Sequence, residues 1–226
     1  MEFMDIMAKV MMVYVPFLFA LCFHEYAHGW VAKKLGDPTA DMLGRVSMNP
    51  MVHIDLFGTV IFPLMAVLGP SPLFFGWAKP VPVSVNNLEN PRKDMFWIAL
   101  AGPGSNFLLA IVGFILMGLR TRMDLTPDMS SFLLQVLQTF IMFNLFLAVF
   151  NLIPVHPLDG GKILARFLPV RANIWLEQNA STISMALFGF ILLSAFTGGG
   201  LYIVTAPVKF LYIMLHTVTG YFFMIF

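Results

Sequence analysis

Charge is scarce in this sequence. Asp, Glu, Lys and Arg make up 11% of its 226 residues, against about a quarter in a typical soluble domain. Thirteen basic and twelve acidic residues could not solvate a compact domain that is 59% hydrophobic. The bilayer is the solvent that suits such a chain. The charges nearly cancel at +1, so no field of one sign recruits nucleic acid. Cysteine is also nearly absent: Cys22 alone excludes an intrachain disulfide and any cysteine-rich metal site. Long polar connections are missing too. The longest, 36–55, 77–94, 120–128 and 155–177, cannot hold a folded extramembrane domain. No inverted internal repeat and no low-complexity tract is visible, which weakens a transporter reading.

What is present is a series of apolar runs. A membrane-crossing helix needs about 20 mainly apolar residues. Residues 56–78, 95–119, 129–158 and 178–208 contain no Asp, Glu, Lys or Arg, and 210–226 closes the series. The first apolar stretch, Val10 to Leu35, is preceded by two acids, Glu2 and Asp5, and one lysine, Lys9, and lacks a small-residue cleavage site, so it reads as a retained helix rather than a signal peptide. Residues 56–78 carry Gly58, Pro63, Gly69, Pro70, Pro72 and Gly76, punctuation that predicts broken or re-entrant structure. Beyond it, Pro80-Val-Pro-Val-Ser-Val85 alternates with period two and is expected to form an extended edge strand. The expected fold is all-α and polytopic, with five to six transmembrane helices, a re-entrant segment and short membrane-associated β-strands. It forms one membrane-embedded domain over 1–226, with a core at about 10–170 and accessory helices at about 178–226.

Inside the first apolar stretch lies His24-Glu25-Tyr26-Ala27-His28, an H-E-x-x-H pattern. On a helix, residues four apart differ by about 40°, so both imidazoles project from one face and can share a zinc ion. Glu25, about 100° from His24, can reach a metal-bound water as general base. The chain's own His and Glu frequencies give roughly 0.002 chance matches to this pattern. Each ionisable group in mid-span costs about 2.5–3.5 kcal/mol on insertion scales. A zinc site returns about 10–16 kcal/mol, whereas interhelix hydrogen bonds return about 0.6–2 kcal/mol each. A purely structural zinc has no use for Glu25.

Two histidines leave a tetrahedral ion one protein ligand short of a catalytic set. His53, His156, His216 and the carboxylates are the candidates. Asp159, in Asn151-Leu-Ile-Pro-Val-His-Pro-Leu-Asp159-Gly-Gly161, stands out because it ends a charge-free run, although Asp before Gly-Gly is also ordinary turn chemistry.

The combination of H-E-x-x-H in a first membrane helix with N-x-x-P-x-x-P-L-D-G late in the chain resembles the site-2 proteases, intramembrane zinc metalloproteases. Asn49-Pro-Met-Val-His-Ile-Asp55, Gly76-Trp-Ala-Lys-Pro-Val-Pro82 and Ala101-Gly-Pro-Gly-Ser-Asn106 are similar as well. The resemblance covers about His24 to Gly161. It implies that His24, His28 and Asp159 bind one Zn2+, that Glu25 activates the water, and that Asn144 helps bind the substrate carbonyl. His156 stands where the family often has Pro. The implied activity is hydrolysis of peptide bonds within or next to transmembrane segments of a membrane-protein partner. An edge strand at 80–85 or 45–50 would pair with the unwound substrate. The alternatives are a proteolytically inactive metal-binding scaffold and a metal transporter.

If His28 and Asp159 share one ion, their two helices run parallel, which requires 56–78 to enter and leave on one side. Five crossings with the amino terminus outside put nine basic residues on the cytoplasmic side and three outside. Six crossings split them seven to five. The expected protein is therefore multi-pass, with its active site toward the cytoplasmic side.

Overall fold

A computed structural model describes residues 3–69, 76–197 and 202–225. Ten α-helices follow in chain order: α1 (Phe3–Lys9), α2 (Val15–Lys34), α3 (Thr39–Met42), α4 (Phe62–Leu68), α5 (Pro91–Arg120), α6 (Pro127–Asn151), α7 (Asp159–Ala165), α8 (Val170–Gln178), α9 (Ala180–Thr197) and α10 (Tyr202–Ile225). A π turn, Val10–Tyr14, joins α1 to α2, so that Ile6–Lys34 is one apolar helix of 29 residues. With Pro91–Arg120, Pro127–Asn151 and Tyr202–Phe223 it makes four helices long and apolar enough to cross a membrane. The pair Val170–Gln178 and Ala180–Ser194, bent by 64°, makes five if counted as one span. A sixth crossing is not supported among the described residues: Leu56–Leu68 is a shorter apolar helix, and the rest of that expected segment, 70–75, lies outside them. The last two spans divide differently from the expectation. The first of them ends at Thr197 and the second begins at Tyr202, so Lys209 lies inside the last helix.

The order of contacts fixes the helix directions. Along α2, Ala20 and His24 meet Asn106 while His28 meets Ile98, so α2 and α5 are antiparallel. Along α5, Asn106 meets Asn144 while Arg120 meets Ser130, so α5 and α6 are antiparallel. It follows that α2 and α6 run parallel, and that the chain from 35 to 90 starts and ends on one side.

Lipid tails are as apolar as leucine, so these helices are held by close packing and internal hydrogen bonds rather than by expulsion from water. At the centre, Ala110 and Phe114 of α5 pack with Ile141 and Leu145 of α6 and Val204 and Val208 of α10. Gly113 permits this approach: a Cβ there would lie 2.6 Å from Ile141. A second cluster sets Phe17, Ala20 and Leu21 of α2 against Leu147 of α6 and Ala78. Large apolar side chains such as Leu108, Met185, Phe210 and Ile213 remain exposed on the outside, as a lipid-facing surface requires.

The expected β-strands are absent among the described residues, and the reason is local. Between 76 and 84 the chain is irregular, Pro80 and Pro82 have no N–H, and four of the other donors are turned inward. Trp77 N–H donates to Gly58 O, Lys79 N–H to His53 O, Val81 N–H to Glu25 and Ser84 N–H to Asp37. With these four donors engaged and two prolines between them, a regular ladder does not form among the described residues. At 45–50 the chain turns back on itself, with His53 Nε2 2.8 Å from Ser47 O and the Asn49 amide on the Ser47 hydroxyl. Period-two alternation here reflects a chain anchored at alternate residues.

Asp37, just past α2, anchors this segment. It is enclosed under a thin layer of chain, at 0% exposure. It accepts hydrogen bonds from the Thr39 amide and hydroxyl, the Ser84 amide and the Asn87 side chain. Burial pushes its pKa up, but the hydrogen bonds from Thr39, Asn87 and Ser84 outweigh burial and hold the carboxyl below the usual carboxylate range.

Candidate functional site

His24 and His28 lie on one face of α2, and both are buried. Asp159 is the first residue of α7. It reaches them because α7 folds back tightly on the turn after α6, where a Cβ at Gly160 would run into the Ile153 carbonyl. His24 Nε2 and His28 Nε2 are 3.0 Å apart, and Asp159 Oδ2 lies 3.2 and 3.1 Å from them. This is the one group of three such side chains arranged to hold a metal ion among the described residues. The second carboxylate oxygen is 3.7 Å from Lys162 Nζ.

The protons on the histidines follow from their other ring nitrogens. His28 Nδ1 is 2.6 Å from the Ile98 carbonyl, which can only accept, so Nδ1 carries the hydrogen. His24 Nδ1 is 2.7 Å from Asn106 Oδ1. The Asn106 amide cannot be reversed, because its Nδ2 donates to the Ala20 carbonyl at 3.0 Å and to Asn144 Oδ1 at 2.9 Å. His24 Nδ1 therefore also carries the hydrogen. In the neutral imidazoles both Nε2 lone pairs then converge with a carboxylate oxygen, an arrangement that repels itself unless a cation sits among them. Around a tetrahedral ion with bonds of about 2.0–2.1 Å, donors lie about 3.3 Å apart, close to the spacing found. Two imidazoles and one carboxylate, each imidazole fixed by its other nitrogen, suit zinc with a position left open.

Space for the rings comes from α5, where a Cβ at Gly102 would collide with both imidazoles. Glu25 lies beside the triangle, with Oε2 accepting from the Val81 amide at 2.8 Å. It and His24 open onto a cavity of about 380 Å3, walled by Leu21, Ala78, Leu158 and Ile191.

The remaining sequence candidates fall elsewhere. Asn144 does not reach this cavity. It is fully enclosed, accepting from Asn106 and donating to the Phe140 carbonyl at 2.8 Å. Asn151 lines the cavity in its place. His156 is not among the grouped donors. His53 is sealed against Ser47, and His216 lies on α10. Asn106 is the residue whose role the sequence left unread. Its signal was the Ala101–Asn106 stretch, in which a glycine and an asparagine four apart share a helix face.

Comparison with known proteins agrees with this geometry. The description "Peptidase family M50" matches residues 12–123 and 126–195. A Bacillus subtilis protein named "Putative zinc metalloprotease YwhC" is 37% identical over 179 residues, 78% of this chain and 75% of that protein. Two mycobacterial proteins of the same descriptive name are 29% identical. Rip2 of Mycolicibacterium smegmatis matches over 66% of this chain and 54% of its own length, and Rip3 of Mycobacterium tuberculosis over 83% and 40%. The chain thus spans about half or less of those two relatives. No solved structure matches it. A multi-pass bundle, a buried two-histidine and one-aspartate triangle and these matches lead to one conclusion: the chain belongs to peptidase family M50, the site-2 protease family of membrane metalloproteases, whose metal is zinc.

Proposed function

We propose that the protein is an intramembrane metalloendopeptidase that hydrolyses peptide bonds within or next to transmembrane segments of other membrane proteins. The convergence of two unprotonated Nε2 atoms on Asp159 Oδ2 carries this reading, because it leaves a cation site with Glu25 at its edge. His24, His28 and Asp159 would hold one zinc ion. When bound, zinc lowers the pKa of water toward 7 and polarises a carbonyl. Asn106 and the Ile98 carbonyl keep both Nε2 atoms aimed at the ion. Glu25 accepts the water proton at its carboxylate and returns it to the leaving amine. Its link to Val81 holds that carboxylate at the cavity rim, and the apolar walls keep bulk water out. The whole chain acts as one membrane-embedded unit. The positive-inside bias puts the donor triangle toward the cytoplasm, on the side of Lys33, Arg45, Arg92 and Lys162.

The test is reconstitution with a single-span substrate, comparing wild type, Glu25→Gln, Asp159→Ala and His156→Ala for zinc content and cleavage. Glu25→Gln is expected to keep zinc and lose cleavage, Asp159→Ala to lose both, and His156→Ala to keep both. Cleavage that survives Glu25→Gln would overturn the base assignment. Zinc kept by Asp159→Ala and lost by His156→Ala would overturn the ligand set.

A further inference from the structure

The end of the bundle away from the donor triangle holds a second polar site. Arg120 closes α5, about 21 Å along the helix from Asn106 at 1.5 Å per residue. A cavity of about 450 Å3 opens there between α5, α6 and α10. Arg120 from α5, Gln138 from α6 and His216 from α10 converge on it, and no carboxylate lines it. Phe114, Leu134 and Phe223 give it apolar walls. Gly220 leaves it open, since nothing lies within 4 Å of where a Cβ would stand.

The polar groups here are held but not satisfied. Arg120 Nη1 donates to the Ser130 carbonyl at 2.9 Å and to the Ser130 hydroxyl. Its Nε is shielded from solvent and has no partner. The His216 ring stacks on Tyr212 at 6.1 Å and 13° and stands edge-on to Phe114. Neither the His216 nitrogens nor the Gln138 amide bonds to protein among the described residues. Thr121 and Thr219 give their hydroxyl protons to the Gly118 and Leu215 carbonyls, so Arg120, His216 and Gln138 supply the free donors. Arg120 is half-buried while Gln138 and His216 are exposed, and an ionisable group in a membrane helix facing a cavity marks a binding site. A fixed guanidinium without a counter-ion, two further donors and aromatic walls suit a phosphate-type oxyanion.

We propose that this cavity binds a phosphate-type oxyanion, supplied by the headgroup of an anionic phospholipid or by free phosphate, with Arg120 as its fixed cation. The apolar walls favour the lipid, whose bound headgroup ties α5, α6 and α10 together. The assignment does not depend on the catalytic reading.

The chain in neutral detergent is titrated with dioleoylphosphatidylglycerol, dioleoylglycerol or sodium phosphate, with thermal unfolding and native mass spectrometry as readouts. Phosphatidylglycerol is expected to raise the Tm and to bind about tenfold more tightly than dioleoylglycerol, the worth of one charge-assisted contact. Arg120→Gln abolishes that difference at unchanged zinc content, and His216→Phe reduces it. Should Arg120→Gln not fold, Gly220→Leu, which fills the cavity with Arg120 in place, gives the same loss. Sodium phosphate reproducing the full shift would assign the site to the free anion. Equal responses to the two lipids, or a phosphatidylglycerol response untouched by these substitutions, would overturn the site.

Discussion

Asn106→Ala is the substitution that tests how α5 governs the donor triangle, because Asn106 touches no metal position itself. The change removes three enclosed hydrogen bonds, to His24 Nδ1, the Ala20 carbonyl and Asn144 Oδ1. It leaves the His24 N–H without an acceptor, at a cost of about 1–3 kcal/mol. The ring is then free to rotate or change tautomer. Loss of such an outer partner lowers metal affinity by about 10- to 100-fold, equivalent to about 1.4–2.7 kcal/mol. Zinc affinity, measured by competition with a chromophoric chelator in detergent, should fall by that factor while helicity by circular dichroism is kept. Asn144→Ala leaves the Asn106 amide oriented by the Ala20 carbonyl, so its loss should stay within about threefold, about 0.65 kcal/mol. If Asn144 acts only through Asn106, the double variant matches Asn106→Ala alone. Asn106→Asp restores an acceptor for His24 but leaves the Ala20 carbonyl and Asn144 Oδ1 without donors. It should therefore bind zinc better than Asn106→Ala and unfold at lower temperature than wild type. Wild-type zinc affinity in a folded Asn106→Ala protein, or a larger loss in Asn144→Ala, would refute the reasoning.

Two further predictions concern packing and pH. Gly102→Ala drives a methyl group into both imidazoles, and overpacking of this kind costs about 1–3 kcal/mol. Zinc affinity should fall with the Tm, and an unchanged chelator titration would show that the rings have room. Asp37 has a lowered folded-state pKa, so its contribution to stability is present above its unfolded value of about 3.9 and is lost as pH falls through the folded value. Asp37→Asn should destabilise the protein at pH 7 by about 1.5–3 kcal/mol, the worth of a hydrogen bond to a charged group. Thermal unfolding of both proteins at pH 7 and near pH 3 should show the gap closing on acidification, and a constant gap would rule out the carboxylate as its source.

The parts of this protein legible in the sequence are those carried by local chemistry. Four of the spans follow from charge-free runs, and His24 and His28 from a spacing of four on one helix. The role of Asp159 came from the turn sequence only once the resemblance was added. What stayed hidden depends on partners distant in the chain. Period-two alternation at 80–85 is shared by edge strands and by any extended chain anchored at alternate residues. Only the positions of Gly58, His53, Glu25 and Asp37 show that the donors point inward. The resemblance implies a substrate contact for Asn144, but whether its amide faces a cavity or another amide depends on α5. The boundary between α9 and α10 leaves no mark in the charge pattern, because Lys209, inside the last span, tolerates a helix interior by extending its ammonium outward.

Helix α5 shows why a search for ligand residues reads such a site incompletely. It donates no atom to the triangle, yet it sets the geometry of both histidines: Ile98 O fixes one tautomer, Asn106 Oδ1 fixes the other, and the missing side chain of Gly102 leaves room for the rings. A backbone carbonyl, an amide and an absent Cβ carry no metal-binding signature of their own. They act because α5 runs antiparallel between two parallel helices, so one stretch of eight or nine residues passes both imidazoles in succession. The same antiparallel course carries α5 to Arg120 at the far end, where it meets α6 and α10 instead of α2. One helix without a ligand thereby orders both polar sites of the bundle, and substitutions on its inward face should perturb metal binding or anion binding according to their height along it.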